Sequence, residues 1–171
     1  QRPEKIAHFD GRRGSPAMTV QITDKDQITP KLLQMKPEVL YVPIHILVLD
    51  PIFCHELARK VTVAAVLPRI IHDHELDRLK DDLKVIKDMG VREVLTGNPG
   101  MVLTVREAGL RVRGDFGLNL YNSASVNLMK ELGLKSATLS FEMTLPQIRE
   151  VSKAVPCEIF AYGRMPLMIT E

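Results

Sequence analysis

From Ala17 onward, short apolar and β-branched runs alternate with amphipathic stretches, a pattern that predicts βα units built around a parallel sheet. The strand-like runs are residues 18–23, 39–44, 62–67, 93–96, 111–116, 137–140 and 158–161, with a possible eighth at 167–170. Helix-like stretches fall between them at 29–35, 51–59, 73–89, 101–107, 123–132 and 145–154. Leu76, Leu79, Leu83 and Ile86 lie on one face of the longest of these, as spacings of three and four require. Met89-Gly90-Val91, Ala108-Gly109-Leu110 and Leu132-Gly133-Leu134 repeat one junction, in which a glycine closes a helix in the left-handed region and an apolar residue leads to a strand. Asp73, Asn122 or Ser123, and Thr144 stand where helix N-caps belong, and Pro146 falls in a first turn.

These elements predict an α/β fold: a parallel β/α (TIM-like) barrel of about seven or eight strands. Such a barrel ordinarily takes about 250 residues, so 171 residues imply a compact or incomplete one. Residues 1–16, with Arg2, Lys5, Arg12 and Arg13 and little apolar periodicity, read as a linker or docking arm, and 17–171 as the barrel domain. The opening Gln1 and the apolar run at the other end read as cuts in a longer protein, whose upstream and downstream domains become expected partners.

Composition narrows the class without naming a function. Hydrophobic residues at 45% and charged residues at 26% are those of an ordinary globular domain, neither disordered nor fibrous. No apolar run reaches the roughly 20 residues of a membrane span and no leader opens the chain, so no membrane partner is expected. Cys54 and Cys157 show no metal-type spacing and read as reduced thiols, which fits a cytoplasmic setting. A net charge of +2 is too mild to imply nucleic-acid binding by itself.

Chemistry in parallel barrels gathers at the C-terminal ends of the strands. There the sequence places Asp24, His45, Arg69, Asn98, Asp115, Asn119, Glu142, Tyr162 and Arg164. Asp115 and Glu142 follow neighbouring strands, about 4.8 Å apart, and are the candidate catalytic pair for acid and base work. Against that stands a plainer reading, a turn-capping Asp115 and a solvated Glu142. Asn98, Asn119, Tyr162, Arg164, Arg69 and His45 are candidate substrate-binding residues, Arg164 for its planar fork beside Gly163. Asn98-Pro99-Gly100 equally suits a turn that starts a helix.

Several chemistries lack their motif. His72-Asp73-His74-Glu75 is not HExxH, and no metal site is assigned. Cys54 and His55, adjacent on a helix, do not face each other. No GxSxG, GxGxxG or GxxxxGK[ST] is present, which leaves serine-hydrolase, dinucleotide and P-loop readings without support.

Four stretches taken together resemble the collagenase-like peptidases of unknown catalytic type, peptidase family U32. They are Gly114-Asp115-Phe116-Gly117-Leu118-Asn119-Leu120-Tyr121-Asn122-Ser123; Leu132-Gly133-Leu134-Lys135-Ser136-Ala137-Thr138-Leu139-Ser140; Glu142 with residues 145–148; and Tyr162-Gly163-Arg164-Met165-Pro166-Leu167-Met168. The similarity is tight over 91–171, looser at Leu67-Pro68-Arg69, weak before that, and most like the C-terminal barrel segment of the long multidomain members. The resemblance implies a β/α barrel and a hydrolase of protein substrates, with Asp115 and Glu142 activating water and Arg164 orienting a carbonyl. The alternative it implies is an RNA-hydroxylation protein, since several relatives resemble RNA- or quinone-hydroxylation factors whose iron–sulfur cluster is held by cysteines following the barrel. No cofactor is then expected within this chain, and RNA becomes the alternative substrate, with Arg12, Arg13, Arg111, Arg113 and Arg164 as phosphate contacts. A third reading is a noncatalytic, substrate-gripping scaffold.

Overall fold

The computed structural model describes residues 16–164. Seven parallel strands form one sheet in sequence order: β1 (Thr19–Gln21), β2 (Val39–Pro43), β3 (Val63–Val66), β4 (Glu93–Thr96), β5 (Arg111–Gly114), β6 (Ser136–Thr138) and β7 (Cys157–Glu158). The helices are α1 (Pro30–Gln34), α2 (Ile44–Leu49), α3 (Pro51–Lys60), α4 (Leu76–Asp88), α5 (Met101–Glu107), α6 (Ser123–Glu131) and α7 (Leu145–Glu150). Strand order equal to chain order is what successive right-handed βα crossovers produce. No described helix is long and apolar enough to cross a membrane.

The sheet curls into a half-barrel. Among the described residues β1 and β7 share no ladder, so closure as a TIM-like barrel is not seen. Side chains nevertheless bridge the two edges: the Thr19 hydroxyl donates to Glu158 Oε2 at 3.0 Å, and the Tyr41 hydroxyl lies 2.8 Å from both Glu158 oxygens. The possible strand at 167–170 and the arm at 1–15 lie outside the described residues.

Strand alternation sorts the two faces. Leu40, Val42, Val63, Ala65, Val94, Val112 and Ala137 face the helices and form the main core with Leu47, Leu57, Leu83, Ile86, Val105 and Val126. The inner face has a small apolar group, Val39, Tyr41, Ala64 and Leu95, and beyond it an ion network. Glu93, 1% exposed, receives Arg113 Nε on Oε2 at 2.5 Å, and both Arg111 (2.9 Å) and Lys135 on Oε1. The other end of Arg113 reaches Glu158 at 3.0 Å and Ser136 at 2.9 Å. Burial alone pushes the Glu93 carboxyl up, but the hydrogen bonds and charges of Lys135 and Arg113 outweigh it and hold the group below the usual range.

The glycine junctions are as the sequence predicts, with Gly90, Gly109 and Gly133 at φ of 99°, 76° and 74°. Asn122 caps α6 by accepting from Ser125 N at 2.9 Å. Three expectations change. The stretch 44–49 forms a helix, α2, where none is predicted, because Ile44, Ile46 and Leu47 bury against the core while Pro51 forces a new start. The long helix begins at Leu76 rather than Asp73, behind a single 3₁₀ turn in which Glu75 accepts from His72 N at 2.9 Å. α7 ends at Glu150, since Val151 turns to extended backbone.

Replacing Arg113 by Leu leaves Glu93 Oε2 without its cation and half-buried Glu158 without its ion pair, and is expected to cost about 3–5 kcal/mol at neutral pH. A carboxyl depressed in the folded state lends stability above its unfolded pKa and loses it as pH falls through the folded value. Urea titrations of both proteins should therefore show the penalty narrowing as pH drops below about 4.5, the ordinary glutamate value; a constant difference would remove the ion pairing as its cause.

Candidate functional site

At the C-terminal end of β5 the chain enters a 3₁₀ turn over Phe116–Leu118 that Asp115 caps, its Oδ1 accepting from Phe116 N at 2.8 Å. The Asp115 carboxyl is 7% exposed, and burial is the main reason that its pKa rises above the usual aspartate value. The Phe116 N–H and the Arg69 charge pull it back, and the Glu158 charge adds to the rise. The Phe116 ring, next along the chain, meets Phe160 and Phe141 edge-to-face, with centroids 5.3 and 5.8 Å apart. The Arg69 guanidinium lies over the same Phe116 ring, 4.8 Å from its centroid. Three loops, after β5, β6 and β7, thus bring aromatic rings together, and the loop after β3 supplies the cation.

A close backbone approach holds this mouth in place. A Cβ on Gly97, which follows β4, would sit 3.0 Å from the Gly117 Cα, and one on Gly117 would sit 3.1 Å from the Gly97 backbone. Only glycines at both positions let the two loops touch.

The residues predicted for the site divide between this mouth and other places. Asp115 and Arg69 are in it. Glu142 is exposed and accepts a hydrogen bond from the Tyr121 hydroxyl, so it does not form a carboxylate pair with Asp115. Asn98 builds the turn before α5, its Oδ1 accepting from Gly100 N at 2.9 Å. Asn119, exposed at φ 56°, closes the 3₁₀ turn in the left-handed region. His45 stands exposed in α2 and lines a separate shallow pocket of about 310 Å³ with Thr23, Asp24, Lys25 and Asp50. Tyr162 is fully exposed and Arg164 is exposed. Arg113, a candidate phosphate contact, is 4% exposed inside the ion network and cannot reach a phosphate. Sequence reasoning missed Phe116, Phe141 and Phe160, although each follows the end of a strand by two or three residues, the position that barrel topology reserves for function.

The description Peptidase family U32 matches residues 52–171. The chain belongs to peptidase family U32. Among curated relatives of this U32 chain, the tRNA hydroxylation protein P of Escherichia coli (strain K12) is 29% identical over 116 residues, 65% of this chain and 25% of that protein. The protein of the same name from Haemophilus influenzae (strain ATCC 51907 / DSM 11121 / KW20 / Rd) is 28% identical over a stretch of the same length. The tRNA hydroxylation protein P1 of Bacillus subtilis (strain 168) is 31% identical over 98 residues, 55% of this chain and 23% of that protein. The chain spans about a quarter of the length of these relatives.

The thiols of this U32 segment do not fit an iron–sulfur cluster. Cys54 is buried in α3 and Cys157 opens β7, and the described residues contain no group of three His, Cys, Asp or Glu able to hold a metal ion. Burial pushes both thiols up to about 11, so neither is a thiolate at neutral pH.

Two substitutions probe this arrangement. Asp115→Asn keeps the acceptor for Phe116 N and removes a charge that burial disfavours, so it should stabilise the fold at neutral pH. The gain should vanish as pH falls through the raised folded pKa to the ordinary aspartate range, where the native carboxyl is also neutral; thermal melts against pH give the curve. Gly97→Ala should cost about 1–3 kcal/mol through overpacking against Gly117, read as a shifted urea midpoint at unchanged slope.

Proposed function

We propose that this chain is the RNA-engaging half-barrel of a U32 protein that hydroxylates RNA, and that its mouth receives a nucleobase. The observation that carries the reading is the cluster of Phe116, Phe141 and Phe160, with Arg69 over Phe116 and the buried Asp115 one residue before that ring. Exposed aromatic faces beside a guanidinium suit a planar base, which stacks on such groups whatever its sequence context. Phe141 and Phe160, 45% and 37% exposed, leave ring surface for it. The names of the relatives, tRNA hydroxylation proteins, favour RNA over a protein substrate.

The chain's own part in such a reaction is stacking, orientation and proton handling. A carboxyl with a raised pKa beneath a bound base can accept a proton at its oxygen and return it, whereas an aspartate at its ordinary pKa is a weaker base. Arg69 fixes the ring of Phe116 and opposes full neutralisation of Asp115. Since Cys54 and Cys157 do not fit a cluster, no step is routed through one. Peptide hydrolysis has weaker support in this geometry: the Ser125 hydroxyl donates to Asn122 O at 2.8 Å as part of a cap, and the thiols are held protonated.

Nucleoside mass spectrometry of RNA tests the proposal, comparing cells with and without the gene for the intact protein and cells carrying its Phe116→Ala form. Loss of one oxygen atom from a single nucleoside in the deletion is the expected result. Truncating the stacking ring should lower the restored modification by roughly 5- to 150-fold, the equivalent of about 1–3 kcal/mol per stacked base. Identical nucleosides with and without the gene would overturn the reading.

A further inference from the structure

The two ends of the half-barrel carry opposite charge. At the mouth the exposed residues include Asp24, Asp26, Asp73, Glu75 and Glu142, against the cations Lys25, Arg69 and Arg164. At the other end the loops that lead into four successive strands expose Lys60 before β3, Arg92 before β4, Arg111 at the start of β5 and Lys135 before β6. Adjacent strands lie about 4.8 Å apart, so these positions follow one another along one rim, Arg92 being held there by donation to Lys87 O at 2.5 Å. The same end has acidic residues too: Glu38 before β2, and Asp88, Glu107, Glu131 and Glu150, which close α4, α5, α6 and α7.

The centre of the row is built. Arg111 and Lys135 share Glu93 Oε1, while Glu93 Oε2 is already taken by Arg113, which itself pairs with Glu158. Three cations therefore surround two carboxylates, and the surplus positive charge sits on the outer pair, whose side chains are 60% and 39% exposed. The buried carboxylate holds the two heads in position while they face solvent, so a ligand meets them with little ordering cost.

We infer that this basic rim, at the end opposite the mouth, grips the phosphodiester backbone of the RNA whose base enters the mouth, an inference that rests on the RNA reading above. Four-residue strands at about 3.3 Å per residue make a slab roughly 13 Å deep before loops are added. A nucleotide cannot touch both ends. An RNA strand of several nucleotides passing along the edge of the half-barrel can, so the rim supplies affinity for the strand and the mouth supplies selection of the base. At the mouth the acidic Asp24, Asp26, Asp73, Glu75 and Glu142 outnumber Lys25, Arg69 and Arg164, which leaves the rim as the place where backbone contacts gain most.

The test is fluorescence anisotropy of a labelled single-stranded RNA against the purified chain over a potassium chloride titration. The variants are Lys60→Gln with Arg111→Gln, and separately Phe116→Ala. Glu93 keeps Arg113 and Lys135 in the double variant, and a thermal melt confirms folding. Removing two contacts should weaken binding and lower the log–log salt slope by roughly 1.4, at about 0.7 per phosphate of a single strand. Phe116→Ala should weaken binding at unchanged slope. RNA binding whose slope is the same in the folded double variant overturns the rim while leaving the RNA reading intact, as does equal displacement by polyglutamate, which would mark an acidic protein partner. Absence of RNA binding by the native chain also overturns it, and the nucleoside analysis then decides the RNA reading independently.

Discussion

Glu93 lies in a central strand of a sheet whose opposite face is aliphatic, and an ionised carboxylate so placed costs several kcal/mol unless it is paired. Arg113, Arg111 and Lys135 supply the pairing from β5 and from the entrance to β6, and Arg113 passes the connection to Glu158 in β7. The network therefore ties β4, β5, β6 and β7 through side chains as well as through the ladder. Thr19 and Tyr41 extend it to β1 and β2 across the open side of the curl. Buried ion pairs are poor sources of net stability but good sources of register. A slip of one residue would turn Glu93 and Arg113 toward the helices and bring Val94 and Val112 inside, losing the network and the core together.

The same alternation that sends Arg113 inward sends Asp115 inward two residues later, at the strand's end. Asp115 thus inherits a polar interior whose nearest negative charge, Glu158, adds to the effect of burial on its carboxyl. Network and mouth are successive layers of one inner face. The lower layer pairs each carboxylate with a cation, and the upper layer keeps one carboxyl poorly compensated, opposed by the Arg69 charge and the Phe116 N–H. Perturbed groups of that kind cluster where chemistry is done.

Much of the ladder was legible, because periodicity and glycine junctions act locally. β4 and α5 match the predicted ranges end to end, and Gly90, Gly109 and Gly133 adopt the left-handed caps read from the residues around them. The stretch 44–49 was not legible: five apolar residues around His45 satisfy strand and helix alike, and only burial of Ile44, Ile46 and Leu47 decides between them. The site was read in part. Strand adjacency places backbones, so it brings Asp115 and Glu142 to neighbouring loops, but it does not say which way a loop residue turns. Glu142 lies four residues beyond the end of β6, and its side chain goes to Tyr121. The aromatic trio escaped because single phenylalanines in separate segments look like ordinary core until the curl of the sheet brings them together.

That curl also explains why the ends of one inner face can differ in charge. Helix C-termini gather at the entrance side of the strands, where the partial negative charge of their carbonyls favours cations. Lys87 and Arg106 serve that purpose directly, donating to Ala108 O and Leu132 O. Arg111 and Lys135 do not, since they point at Glu93 rather than at a helix end. Helix dipoles therefore account for part of the basic rim but not for its centre. The central pair is placed by a buried carboxylate that would already be satisfied by Arg113 and one further cation. A further cation held at the same oxygen is a cost in repulsion, and what can offset such a cost is an anion on the solvent side.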